Sequence, residues 1–215
     1  MVFAADDVAR RIVDNLGTVE TLALQKLLYY SQAWHLAITG DKLFSDSIRA
    51  YRYGPVVEAV RRQHEGKISV SEWPTGDADR IDDSARRVID LVCHEYGSMS
   101  GWGLAQKTHA EAPWIQARAG APDDASGRRP IDTAVMTQCF REGTLAGRRA
   151  SDLAVGDLFI TSHERFGGAG AHAVADGRDY SDVIGRAASE VPERGALDHL
   201  VYPTSASRVR PARVR

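Results

Sequence analysis

A mainly α fold, a compact multi-helix domain with a short mixed or β-containing C-terminal extension, is predicted by three features of this chain. Leu24–Leu36, LQKLLYYSQAWHL, places Leu24, Leu27, Leu28, Ser31 and Trp34, with His35 one step on, at helical spacing. Similar patterns bounded by capping residues recur from Ala5 to Phe140. After Glu142 the pattern changes, and a Gly-Asp pair splits the apolar run LAVGDLFI at Leu153–Ile160.

Ala5–Leu16 is the first predicted helix. Val8, Ile12, Val13 and Leu16 form its apolar face, Asp6 and Asp7 favour its N-terminal end, and Gly17 closes it. Thr18 is the expected cap of the central helix, which runs to Thr39–Gly40. Its other face, Gln25, Lys26, Tyr29, Gln32 and Ala33, reads as amphipathic rather than fully solvated. Asp41–Ser47 reads as a turn that tucks Leu43 and Phe44 into the core, and Ile48–Tyr53 as a short extended segment. Pro55 suits the first turn of a helix spanning Val56–His64, with Gly66 after it. Lys67–Asp79 is a loop anchored by Trp73; Asp82 or Asp83 caps a helix over Ser84–Tyr96.

Trp102–His109 is a short helix, Glu111–Trp114 a turn and Ile115–Ala119 its continuation. Gly120–Arg129 is a mobile loop by composition, and Pro130–Phe140 a last core helix on Ile131, Val135 and Phe140. Val183–Ala188 suits a short helix, Leu197–Tyr202 a strand or coil, and Ser205–Arg215 a basic flexible tail. The predicted organisation is a domain over 1–142, an extension over 143–204 and a tail over 205–215.

Bulk properties narrow the function. A length of 215 residues with 43% hydrophobic and 26% charged positions suits a soluble globular protein with a sizeable core. A net charge of −2 supplies no bulk attraction to nucleic acid or to an anionic membrane. The N-terminus lacks the basic and apolar regions of a signal peptide, and no run approaches the roughly 20 apolar residues of a spanning helix. A cytoplasmic location is therefore expected, with Cys93 and Cys139 as buried free thiols on helices.

Catalytic and metal motifs are sparse. The seven histidines, His35, His64, His94, His109, His163, His172 and His199, form neither HExxH nor a paired Cys/His spacing. Cys93 and His94 are adjacent, so on a helix they point about 100° apart. Cys139 has no activating context, and no GxGxxG or GxxxxGK[ST] cradle is present. Gly167–Gly170 is glycine-rich but reads as loop. No cofactor and no metal are expected. The aromatic residues carry more information: Tyr29, Tyr30, Trp34, Tyr51, Tyr53, Trp102 and Trp114 concentrate in the helical part, and Tyr and Trp are enriched in binding hot spots.

The run LQKLLYYSQAWHLAITGDKLFSDSIRAYRYGPVVEAV, Leu24–Val60, resembles the signature of the Panacea (SocA-like, phage-associated) antitoxin domain. Its matching parts are LQKLLYY, Trp34–His35, the Gly40 to Phe44 turn and the aromatic residue before Gly54–Pro55–Val56–Val57. A second block, Leu104, Thr108–His109 and Glu111–Ala112–Pro113–Trp114 with Ala117–Arg118, fits in the same order. The resemblance covers about Ala4–Phe140 and leaves Leu153–Arg215 outside. It implies a compact helical domain that neutralises a toxin encoded nearby by direct binding, without catalysis. It also implies a variant role, adaptor to a protease, which would add that protease as a partner.

The expected toxin-binding surface is Trp34, His35, Tyr51, Tyr53, Gly54, Pro55, Val56, His109, Glu111 and Trp114. Nucleic acid is disfavoured as a partner, and a homodimer through the extension stays open. An enzyme using His35, Cys93, His109 or Cys139, and a DNA-binding autoregulator, are the competing readings.

Overall fold

Helix α1 (Ala5–Leu16) forms where the spacing predicts it, with Val8, Ile12 and Val13 buried and Asp6 and Asp7 in its first turn. The computed structural model describes residues 1–119 and 129–155. The expectations for the loop at 120–128, and for Gly167–Gly170, Val183–Ala188, Leu197–Tyr202 and the basic tail, fall outside the described residues.

Helix α2 (Thr21–Thr39) is the centre of the described chain. It is flanked by α1, by α4 (Asp83–Tyr96), α5 (Gly101–His109), α7 (Thr133–Arg141) and α8 (Ala150–Val155), and by strand β3 (Gly54–Val57). That encirclement corrects the amphipathic reading, because Gln25, Lys26 and Gln32 are as buried as the leucines beside them. A polar group sealed from water needs a partner, and each has one. Gln25 Oε1 accepts from the Val57 N–H at 2.8 Å, and Lys26 Nζ donates to Pro55 O at 3.1 Å. Gln32 Oε1 accepts from the N–H groups of Leu43 and Phe44, each at 3.0 Å, which holds the expected turn with both side chains fully buried. Thr18 does not cap α2. Val19 and Glu20 form strand β1, paired antiparallel with β4 (Ser69–Val70), and Glu20 precedes the helix without a side-chain bond to it. Its carboxylate instead accepts from the Gly101 N–H at 2.8 Å, at the start of α5.

Strand β2 (Ile48–Tyr51) pairs antiparallel with β3, with Ile48 opposite Val57 and Tyr51 opposite Gly54. The helix predicted over Val56–His64 is thus partly strand, and α3 spans only Glu58–Gln63. Pro55 fits the ladder because its partner, Ala50, turns its own N–H away, to Arg129 O at 2.9 Å. The missing N–H of Pro55 therefore costs the pairing nothing. Trp73 anchors its loop at 3% exposure. Asp82, not Asp83, caps α4 by accepting from Ala85 N–H at 2.9 Å.

Glu111–Trp114, read as a turn, opens helix α6 (Ala112–Arg118) with Pro113 in the first turn. Helix α7 starts later than predicted, after the Asp132 cap, and Met136 rather than Val135 is its buried residue beside Phe140. Cys93 is buried, whereas Cys139 is exposed, contrary to expectation. Packing continues past Glu142. Strands β5 (Thr144–Leu145) and β6 (Arg148–Arg149) form a hairpin, and Leu145, Ala150 and Leu153 are buried. Of the two strands expected over Leu153–Ile160, the first is corrected, because Leu153–Val155 ends α8; the Gly-Asp turn lies outside the described residues.

His64 follows α3 and is almost fully buried, 2.9 Å from Gln25 Nε2. Burial pushes its imidazole down to about 4. The unfolded chain then takes up this proton first, so stability falls as pH drops from about 6.5 to about 4, by on the order of 3 kcal/mol. The His64 ring should titrate near 4 by NMR; titration near 6.5 would remove the effect.

Candidate functional site

Residues from the two signature blocks meet around one corner of the fold. The connection between β2 and β3 carries Arg52 and Tyr53, and the corner between α5 and α6 latches onto it. Trp114 Nε1 donates to Tyr51 O at 3.0 Å. The His109 ring bonds the Arg52 backbone and stacks on Trp114, with centroids 4.0 Å apart and planes 22° from parallel.

Beneath this corner lies Lys26. Its ammonium is wholly enclosed, and burial pushes it down to about 7. Gly54 makes that enclosure possible: a Cβ there would lie 2.5 Å from Lys26 Cε and 2.8 Å from Thr108 Oγ1. Its φ of +96° also lies where side-chain-bearing residues are strained. His109 Nε2 is buried with no hydrogen-bond partner among the described residues. Burial, then Lys26, then Arg118 hold the His109 imidazole below its usual range.

A second lock joins α2 to the start of α6. Tyr29 and Tyr30 donate their hydroxyls to Glu111 Oε2 and Oε1 at 2.8 and 2.9 Å. Burial raises the Glu111 carboxyl, against the lowering effect of these bonds. Burial also raises both tyrosine hydroxyls. Glu111 thus fixes the α5–α6 corner that presents His109 and Trp114. Glu111→Ala leaves two buried hydroxyls unpaired and should cost about 3 kcal/mol in urea unfolding. Tyr29→Phe and Tyr30→Phe added to that variant should recover part of the loss; no recovery would mean that the bonds contribute little.

The ten expected surface residues separate into two groups. Tyr51, Tyr53, His109, Glu111 and Trp114 are partly exposed around the corner. Trp34, His35, Gly54, Pro55 and Val56 are buried, which corrects their placement on a docking face. Trp34 Nε1 donates to Tyr96 Oη at 3.2 Å, and the indole meets Phe140 edge-on at 5.1 Å. His35 Nδ1 lies 2.8 Å from Asp41 O and helps close α2. Both sit there because α2 is surrounded, which its own sequence cannot reveal.

Other residues join the corner that the expected surface did not include. Trp102 on α5 is 38% exposed, and Ile115 on α6 is 48% exposed. The Tyr53 and Trp102 rings lie 6.4 Å apart, and the Arg52 guanidinium is 5.3 Å from the Tyr53 ring. Arg118 lies 5.9 Å from the Trp114 ring. The one available signal for Trp102 was its place in the first turn of α5, seven residues before His109 and so on the same helical face.

Chemically, the corner offers aromatic area with cations at its edge, suited to binding. Among the described residues no group of three His, Cys, Asp or Glu is placed to share a metal ion, and no helix is long and apolar enough to cross a membrane. No curated protein and no solved structure matches the chain. Residues 24–115 match the family model described as antitoxin SocA-like, Panacea domain. That span begins at the first residue of LQKLLYY and ends one residue beyond Trp114. Over residues 24–115 the chain is therefore similar to the SocA-like Panacea antitoxin domain.

Proposed function

We propose that the chain neutralises a protein toxin encoded nearby by binding it directly at the corner formed by Tyr51, Arg52, Tyr53, Trp102, His109, Trp114 and Ile115. The observation that carries this reading is convergence: both blocks of the family signature build this one corner, and its outer surface is aromatic. Large rings held by a rigid scaffold bring much contact area at small entropic cost. About 800 Å² per partner is the usual size of a stable interface.

Binding rather than chemistry also suits the titratable groups. Lys26 and Glu111 spend their polar atoms on internal bonds that hold the corner in shape. In this reading the protein acts in the cytoplasm and needs no cofactor.

Co-expression with the product of the adjacent gene tests the proposal. Growth should be rescued and a complex should co-purify, and Trp102→Ala should weaken that complex by about 2 kcal/mol with the fold intact. Absence of both rescue and complex would overturn the reading. A toxin half-life that shortens only when a protease is present would replace sequestration by delivery for degradation.

A further inference from the structure

The contact that closes the aromatic corner is made by an uncharged ring. His109 Nε2 is sealed with no hydrogen-bond partner among the described residues, so the bond to the Arg52 backbone is made by Nδ1. That bond favours the charged form of the ring, so Nδ1 carries the proton and donates to Arg52 O. Nε2 is then a bare acceptor. Protonation would turn it into a sealed N–H with nothing to donate to.

The surroundings oppose that proton as well. Lys26 lies beneath, fully buried, with Pro55 O as its one acceptor among the described residues. The charges that bear on the ring, Lys26 and Arg118, are both positive. Acids of the neighbouring elements are engaged elsewhere: Glu111 receives Tyr29 and Tyr30 from α2, and Glu58 receives Tyr51 and Arg61. Arg52 lies against the Tyr53 ring, and Lys107 of α5 lies 5.8 Å from the Tyr96 ring. Strand β3, GPVV, brings no titratable side chain. The His109 ring is only half-buried. Rotating outward would carry it into water, free Arg52 O and unstack Trp114.

We propose that His109 is a proton-operated latch: neutral, it ties Arg52 and Trp114 into the closed corner, and charged, it swings out and lets the corner open. This latch presupposes the toxin-binding reading of the corner and adds its regulation, release of the partner on acidification. The open ring takes up a proton near the ordinary 6.5, the closed ring only below that, because burial, then Lys26, then Arg118 oppose the charge. Closure is therefore favoured above about 6.5 and loses up to about tenfold per pH unit below it. Lys26 does not set this window. Its amine is pushed down to about 7, so below that value it is charged whether the corner is open or closed.

The test follows amide hydrogen exchange of the full chain by mass spectrometry at pH 7.5 and 5.5, with times scaled for the intrinsic rate. Peptides over residues 48–57 and 107–118 report the corner. Helix α1 is the reference and absorbs the general loosening that His64 causes in acid. Corner protection relative to α1 should fall several-fold at pH 5.5, to a limit of about tenfold. His109→Gln keeps an N–H for Arg52 O but cannot titrate, so its corner should be equally protected at both pH values. Lys26→Met removes the cation beneath, and its fall should be smaller than that of the wild type. Circular dichroism at both pH values establishes that each variant is folded; where His109→Gln does not fold, Lys26→Met decides.

Equal protection of the wild-type corner at the two pH values would overturn the latch. So would a gain in acid, with the charged ring held on the Trp114 face, or a fall that persists in His109→Gln or is undiminished in Lys26→Met. The exchange measurement needs no partner and is separable from toxin neutralisation. Failure of the wild type to rescue growth overturns neutralisation, whereas rescue together with a pH-independent corner overturns the latch alone.

Discussion

Raising the pH from about 7 to about 10 should stabilise the wild-type fold relative to Lys26→Met by on the order of 4 kcal/mol. The Lys26 amine is enclosed between α2, β3 and α5, and burial lowers it from 10.5 to about 7. Across that window the unfolded chain binds a proton that the folded chain releases, so stability rises with pH. Below about 7 both states are protonated, and the folded state carries the full cost of an enclosed ammonium. The comparison with Lys26→Met is needed because Cys93 acts in the opposite direction. Burial raises its thiol to about 12, so the unfolded chain loses that proton first above about 9. Urea unfolding of both proteins across the range measures the difference. Parallel curves would show that Lys26 keeps an ordinary amine.

Gly54→Ala should cost about 4 kcal/mol, a large part of a typical 5–15 kcal/mol stability. Two terms add. A φ of +96° strains any residue with a Cβ, by about 1–3 kcal/mol. The new methyl would also lie 2.5 Å from Lys26 Cε and 2.8 Å from Thr108 Oγ1, an overpacking worth about 1–3 kcal/mol. Gly17→Ala separates the terms, because its φ is +71° with nothing within 4 Å of the added Cβ. Its ψ of −115° lies outside the left-handed helical well, so the backbone strain alone should cost about 1–3 kcal/mol. Equal losses for the two variants would mean that the space around Lys26 is loose. Because Gly54 directly follows Tyr53 at the start of β3, the same substitution should weaken the proposed partner binding even where enough folded protein remains.

Much of this fold is legible along the chain, for identifiable reasons. Helix α1 announces itself by spacing, acidic first turn and closing glycine, and its bounds are those predicted. Helix α4 begins at an aspartate cap that sequence narrows to two candidates. Strands β1 and β4 were not legible, because each has two residues and its partner lies about fifty positions away. The sheet at Gly54–Val57 was misread because Pro55 fits a helix start as well as an outward strand edge. Local sequence does not choose between them; the pairing with Ile48–Tyr51 does.

The site divides in the same way. Tyr51, Tyr53, His109, Glu111 and Trp114 could be proposed because the signature blocks contain them, and they meet at one corner. Trp34 and His35 were placed outside because helical periodicity says how a helix is striped, not how many neighbours surround it. Lys26 was assigned to a partly wet face for the same reason. Its burial follows from β3 and α5 closing over it, which no reading of α2 alone could supply.

The polar residues of α2 carry a consequence for the surface. Apart from the Gln25 contact with the His64 ring, Gln25, Lys26 and Gln32 bond backbone atoms of other segments, at Val57, Pro55, Leu43 and Phe44. A backbone grip is indifferent to what the gripped residue displays on its far side. Outward positions such as Tyr53, Trp102 and Ile115 lie outside these grips, so exchanging them should change stability by no more than about 0.5 kcal/mol.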